Sequence, residues 1–571
     1  MPGRRAAAPA APLLILLCCL PARASAQLRS VCDGEPIRSI VVQTAGLFND
    51  ETDKRAATQL FQWMGRSISW QTRPETVRHE LRFAEGEPCD RRRLMETARL
   101  LRDQAYLRSA QIVMTPVPGD SVDIEVRTED ELALDANARL DLGDNRTIKS
   151  ARITEDNLLG RAVLTQLRYD YLGRRAGLVA DVLHRQVAGR NDAELVIGRT
   201  SIGPVGEAAF RRMFESEYDR TAFRFDVRWR EEPFALRSDS FGTVSQPVVS
   251  TGVDLGLARR NGPPGKQTQF GMALSFERQF TTGVPQASLP SDDSAAAAQL
   301  LGRYHERRRL STDLLIGYRN VRFVQRLGLD AVHAVQDAQE GYELRLIAGR
   351  GWGASGKLQQ DWSALLDLYA GGRLLPSTVV YARGRAEGRY LERGWDGVIA
   401  AADVFGYTTF STRTSVAFNV RGAGGWSTST PFQLLQSGPL GMRGYGLNAL
   451  PVGRRVVMQA EHRYFVGTVF RAADLGTALF VDAGQGWAGD AAFGTNTGFL
   501  VAAGAGLRTG FPSGSRVTTQ LDLAVPLRHG HGWELRLTLR RRLGVSGPEA
   551  DDVERSRMPV STLQPFQFTR Y

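Results

Sequence analysis

The chain has 571 residues, 42% of them hydrophobic, with 59 glycines and a formal charge of +11. That length fits one or two structural units rather than one small domain. After residue 26 no apolar run reaches about 18 residues, which excludes a membrane-spanning helix; the apolar content belongs either to a soluble core or to strands that dilute it by alternation.

Residues 1–26 read as a secretory signal peptide. Arg4 and Arg5 precede the apolar run Leu13 to Leu20, and Ala24-Ser25-Ala26 offers small residues at the cleavage positions, so the mature chain is expected to begin near Gln27. Leu17-Cys18-Cys19 lacks the small residue that precedes a lipoprotein cysteine, so no lipid anchor is expected. Removing Arg4, Arg5 and Arg23 leaves 11 − 3 = +8. A basic exported chain suits anionic lipid headgroups or a polar lumen; nucleic acid it would not meet. Two of the four cysteines remain, Cys32 and Cys89, either bridged in an oxidising compartment or buried as two thiols.

Residues 35–130 read as a small α+β domain. Ile37 to Val42 is a strand, and Leu60 and Met64, four apart, mark a helical segment. Glu75 to Phe83 puts Val77 and Leu81 on one helical face and ends at Gly86. Asp90 can cap a further helix, in which Leu94, Ala98 and Leu101 recur at i, i+4 and i+7. Ala110 to Met114, the turn Pro118-Gly119-Asp120 and the alternating Val122 to Val126 complete it as two strands. The spacing of Leu81, Gly86, Leu94, Leu101 and Tyr106 in LRFAEGEPCDRRRLMETARLLRDQAYLRSAQI resembles a POTRA domain, the periplasmic module of outer-membrane assembly proteins. On spacing alone, any small α+β domain would serve.

From 135 to 545 strands follow one another almost without interruption. Phe223 to Arg230 sets apolar residues at odd positions and charges at even ones; Phe270, Met272, Leu274 and Phe276 repeat the period, as do Trp533, Leu535, Leu537 and Leu539. Segments near ten residues suit tilted membrane crossings, and a closed barrel satisfies its own backbone hydrogen bonds. A soluble sandwich or propeller is the competing reading, against which stands the lack of a blade-length repeat.

Within this region GPLGMRGYG, residues 438–446, fences one arginine with glycines. A loop that folds back into a lumen needs glycine for close approach and positive φ, and a guanidinium carried inward needs carboxylates. Glu461 shares a strand face with Gln459 and Arg463, and Asp482 lies in Leu479-Phe480-Val481-Asp482 with the apolar neighbours free to face lipid. By spacing alone these are equally three unrelated lumen charges. Met442-Arg443-Gly444-Tyr445 resembles the (V/I/L)RG(F/Y) loop motif of the BamA/TamA-type outer-membrane protein assembly superfamily, and QAEHRYF and TALFVDAGQGW resemble its acid-bearing strands. ITEDNLLGR and GLRTGFP with TQLDLAVPL resemble the two ends of its barrel. The resemblance implies one periplasmic POTRA domain before a transmembrane barrel of about 16 antiparallel strands, with Arg443 held by Glu461 and Asp482. It departs from the family in having a single POTRA unit, in Ser437-Gly438 where two glycines are usual, and in the C-terminal tail 546–571 beyond Gly544.

Gly484 to Gly489 spells GxGxxG but opens no helix, and His529 and His531 lack a third ligand, so neither a nucleotide nor a metal site is expected. No cofactor and no catalysis are expected either. What the resemblance implies is insertion or export of unfolded client proteins at the outer membrane, with the lipid bilayer and periplasmic accessory subunits as further partners. A two-partner secretion translocator and a passive porin-like barrel stay open beside it.

Overall fold

The computed structural model describes residues 32–47, 69–141, 147–172, 175–238, 242–287, 306–353, 358–392, 394–428, 432–438, 440–446, 449–530 and 532–540, with 295, 298–300, 553 and 554. Residues 1–26, the helix expected over Leu60 and Met64, His531, and the tail apart from Val553 and Glu554 lie outside the described residues.

The chain begins with a small α+β unit. Its elements are β1 (Asp33–Ala45), α1 (Pro74–Glu80), β2 (Pro88–Asp90), α2 (Arg91–Asp103), β3 (Leu107–Val117) and β4 (Ser121–Asp130), in the sheet order β2-β1-β4-β3. Pro74 starts α1, where its missing N–H costs nothing. Asp90 caps α2, its Oδ1 accepting from the Arg92 and Arg93 amides at 2.9 and 3.4 Å. Leu94 and Leu101 then fall on the face that packs with Val77, Tyr106, Ile124 and Val126, and Ala98 is buried on the same helix. A disulfide between Cys32 and Cys89 ties the start of β1 to β2 across 57 residues, a closure that removes about 4 kcal/mol of unfolded-chain entropy.

The second part is a closed antiparallel barrel. Short strands come first: β5 (Leu134–Asp141), β6 (Thr147–Leu158), β7 (Val163–Leu172), β8 (Arg175–His184), β9 (Asp192–Arg199) and β10 (Pro204–Arg212). Taller ones follow: β11 (Thr221–Ser238), β12 (Gly242–Asn261), β13 (Lys266–Thr281), the two-residue β14 (Gln286–Ala287), β15 (Arg307–Leu327) and β16 (Val335–Gly351). Then come β17 (Asp361–Leu375), β18 (Thr378–Leu391), β19 (Gly394–Thr409) and β20 (Thr414–Trp426). After the loop ladder of β21 (Leu434–Leu435) and β22 (Pro451–Val452), the wall ends with β23 (Arg454–Val469), β24 (Ala473–Trp487), β25 (Gly498–Gly510), β26 (Thr518–Arg528) and β27 (Glu534–Arg540). β27 lies beside β5 and closes the cylinder. Setting aside the two-residue β14, 20 of the 21 strands in the ring carry the wall among the described residues, four more than the expected 16. The figure of 16 is what the family resemblance implies and not a count of this chain's own strands.

Alternation assigns the two faces. Along β24, Leu479 and Val481 are exposed outside while Phe480 and Asp482 are buried inside. Outer aromatic side chains gather at one rim, among them Trp362, Trp395, Trp487 and Trp533. The lumen is lined with arginine–carboxylate pairs instead, such as Arg309–Asp361 at 2.9 Å and Arg345–Asp367 at 2.6 Å.

The small unit sits on the end of the barrel opposite those tryptophans. Asn157 Nδ2 donates to Thr72 Oγ1 at 2.9 Å, and Gly160 lies so close to Gln71 that a Cβ would stand 2.2 Å from its carbonyl oxygen. Arg82 pairs with Glu215 at 2.8 Å, and Arg516 NH2 donates to the Gln104 and Leu107 carbonyls at 2.7 and 2.6 Å. At this junction Asp130 is 1% exposed and accepts the Thr72 amide at 3.0 Å. Burial pushes its carboxyl up to about 6. A carboxyl raised on folding adds stability that is full below its unfolded value near 3.8 and lost as the pH climbs through about 6. The small unit should therefore weaken from pH 4 to pH 7 in thermal unfolding, and Asp130→Asn should flatten that slope; an unchanged slope would remove Asp130 from this role.

Candidate functional site

The chain between β20 and β23 leaves the tryptophan rim and turns back into the lumen. β21 and β22 pair Leu434 with Val452 and Leu435 with Pro451, making a narrow stem. Met442 at the tip is fully buried against Val457 and Leu500, its amide donating to the Gln436 carbonyl at 2.9 Å. Gly444 has φ +90°, and a Cβ there would press within 3.1 Å of Ala502. Only glycine passes so close to the wall in that conformation. Fencing the arginine with glycines is the condition for its entry.

Arg443 is 4% exposed. Its Nε and NH2 donate to the two oxygens of Asp482 at 2.8 and 2.6 Å, a bidentate pair, and its backbone amide adds a third bond to Asp482 at 3.0 Å. NH1 donates to Glu461 Oε2 and to Asp522 Oδ2, each at 3.2 Å. The guanidinium also lies over the Phe480 ring, 3.4 Å from its centroid. Two more arginines complete the set. Arg508 donates to Glu461 at 2.7 Å and Asp522 at 2.5 Å, and Arg463 to Glu461 at 2.8 Å. Three guanidinium groups thus meet three carboxylates, drawn from the loop and from the four adjacent strands β23 to β26. A matched set is what a buried position demands, because a lone ion there would cost several kcal/mol.

The loop also grips the closing strand. Glu534 on β27 accepts the Gly444 amide at 2.6 Å, and Arg536 donates to the carbonyls of Met442 at 3.0 Å and Gly438 at 3.3 Å. The Tyr445 hydroxyl meets the Val501 carbonyl at 2.8 Å and the Arg528 carbonyl, capping the neighbouring strands at the same level.

The structure brings Arg443, Glu461 and Asp482 together, with Met442, Gly444 and Tyr445 as the packing around them. Asp522, Arg508, Glu534 and Arg536 are members that sequence reasoning did not assign. Their signal lay in the phase of their strands, since Leu521, Leu523, Leu535 and Leu537 are exposed outside and leave Asp522 and Arg536 inward. Cys32 and Cys89 stand apart from this site, in the small unit. Among the described residues no group of three metal-ligating side chains is found.

No protein-family model and no curated protein sequence matches the chain. Solved structures with a related arrangement include BamA from Haemophilus ducreyi lacking POTRA domains 1–3, with TM-score 0.39, 12% identity, 88% of this chain and 83% of that one covered. CdiB from Escherichia coli gives 0.38 and 11% over 90% of each chain. CdiB from Acinetobacter baumannii gives 0.34 and 13%, over 89% of this chain and 74% of its own. Likenesses this remote do not assign the chain to a family.

Removing the guanidinium strands carboxylates that are almost wholly buried. Arg443→Ala should destabilise the barrel by roughly 3–5 kcal/mol, and Arg443→Lys should recover little because a single ammonium cannot make the bidentate contact. Unfolding in denaturant, followed by tryptophan fluorescence in detergent, measures both. Losses from Arg443→Ala and Asp482→Asn should be far from additive in the double variant; additive losses would show that the pair does not act as a unit.

Proposed function

We propose that this chain is an outer-membrane barrel that inserts or exports client polypeptides, with the small unit as a periplasmic POTRA domain. The observation that carries the reading is the loop held inside the lumen by Arg443. A passive pore gains nothing from filling its channel with a pinned loop that also grips its last strand. An exposed apolar wall with tryptophans at one rim supports placement in a bilayer. The small unit at the opposite end then lies in the periplasm, where the open edge of β3 offers backbone groups to an extended client.

The closing strand explains why the loop matters. β27 lies beside β5 at the joint that closes the ring. Glu534 and Arg536 tie that strand to the loop, and Arg443 ties the loop to β24 and β26. Holding the loop therefore holds the seam at which a client strand would be added. Arg443 performs no chemistry in this account; it keeps the closing strand in register.

Purified protein in liposomes should accelerate insertion of an urea-unfolded barrel client severalfold over empty vesicles, as read by protease protection, and Arg443→Ala should abolish the gain. Recovery of the client inside the vesicle rather than in its bilayer would favour export over insertion. No acceleration with any client, together with a steady ion current, would overturn the proposal in favour of a passive barrel.

A further inference from the structure

The connection between β15 and β16, Gly328 to Ala334, does not stay at the rim. It joins β15 and β16, yet it bonds to side chains on β19, β23 and β26, the last of them eight strands away round a ring of 20. Leu329 O accepts from Arg463 NH1 at 2.6 Å, and Asp330 O accepts from Thr518 Oγ1 at 3.1 Å. The Tyr407 hydroxyl donates to the Asp330 carboxylate. His333 stacks on Phe465 with centroids 4.1 Å apart and planes 2° from parallel. Val332 lies against β24, where a Cβ at Gly476 would stand 3.4 Å from its Cγ1. Ala331 and Ala334 are each 4% exposed. A solvent-facing hairpin would show none of this; the segment is packed across the mouth of the lumen.

It also borders two cavities. One, of about 820 Å³, lies between the small unit and the turn, where Leu94, Ala98 and Arg102 face His333 and Ala334. The other, of about 390 Å³, runs from the rim connections at Pro376-Ser377 and Ser411–Arg413 inward to Asp330, Arg463, Arg508 and Gln520. His333 borders both. The small unit reaches the base of the turn directly: Arg102 on α2 makes a bidentate pair with Asp337 on β16, at 2.7 and 2.8 Å, both side chains largely buried.

We propose that Gly328–Ala334 is a gate across the periplasmic mouth of the lumen, latched shut by Arg102 of the small unit on Asp337. A ligand that fills the outer cavity competes for Arg102, and losing that pair frees the start of β16 and the turn above it. Arg463 holds both Leu329 O and Glu461, so the closed gate rests on the same charge set that holds the loop. The gate rests on the reading of the lumen as a transport path, but its test needs no client, so either can fail alone.

The test places a thiol behind the gate as Gln520→Cys, at a position 2% exposed in the parent, and follows its labelling by a water-soluble maleimide in the full chain. The introduced thiol should react slowly in the parent background. Replacing Leu329–His333 with Gly-Gly should speed labelling by about tenfold or more, and Arg102→Gln should give a smaller rise in the same direction. Heat-resistant migration of the folded barrel on gels confirms that each variant has closed. Equal labelling in the folded turn replacement and the parent would overturn the gate; fast labelling there with no change in Arg102→Gln would overturn the latch.

Discussion

A guanidinium cannot shed its charge, so one carried into a closed cylinder must find a negative charge for it there. That requirement organises the far half of the barrel. Asp482 supplies the bidentate partner, Asp522 and Glu461 share the remaining nitrogen, and the surplus of two acids is balanced by Arg508 and Arg463. Because these groups stand on four consecutive strands, the set also fixes the height of each strand against the next. Such an arrangement specifies geometry more than it adds net stability, since desolvating six ions consumes much of their attraction.

The loop turns this static balance into control of the edge. Its backbone lies against Ala502, Val525 and Pro526, and it reaches the closing strand through Glu534 and Arg536. On the other side of the set, Arg463 carries the connection to the turn over the lumen mouth, and Arg102 carries it on to α2. Charge-assisted bonds, joined by the backbone between Leu329 and Asp337, thus lead from the small unit to β27. They pass through neutral totals at each stage, which is why few of their members reveal themselves by unusual composition.

Much of this was legible in the residues. The α2 register follows from Asp90, Leu94, Ala98 and Leu101, because a cap and a 3.6-residue period are local signals. The inward phase of Glu461 and Asp482 follows from the apolar neighbours beside them. What escaped was set by distant closure. The partners of Arg443 on β25 and β26 depend on which strands end up adjacent, and no local pattern in the chain encodes that. The segment Gly328–Ala334 is the clearest case: its composition is that of any brief connection, and nothing within seven residues says that it crosses to β26.

The wall is uneven. β9 and β10 span 8 and 9 residues, while β13, β15 and β16 span 16, 21 and 17. In the bilayer placement proposed above, lipid would meet a tall apolar face on one flank and a stunted one on the other. Acyl chains shorten or tilt to match a low wall. The membrane would be thinnest beside β9 and β10, and a polypeptide crossing it there would face a reduced hydrocarbon barrier before any contact with the protein is counted.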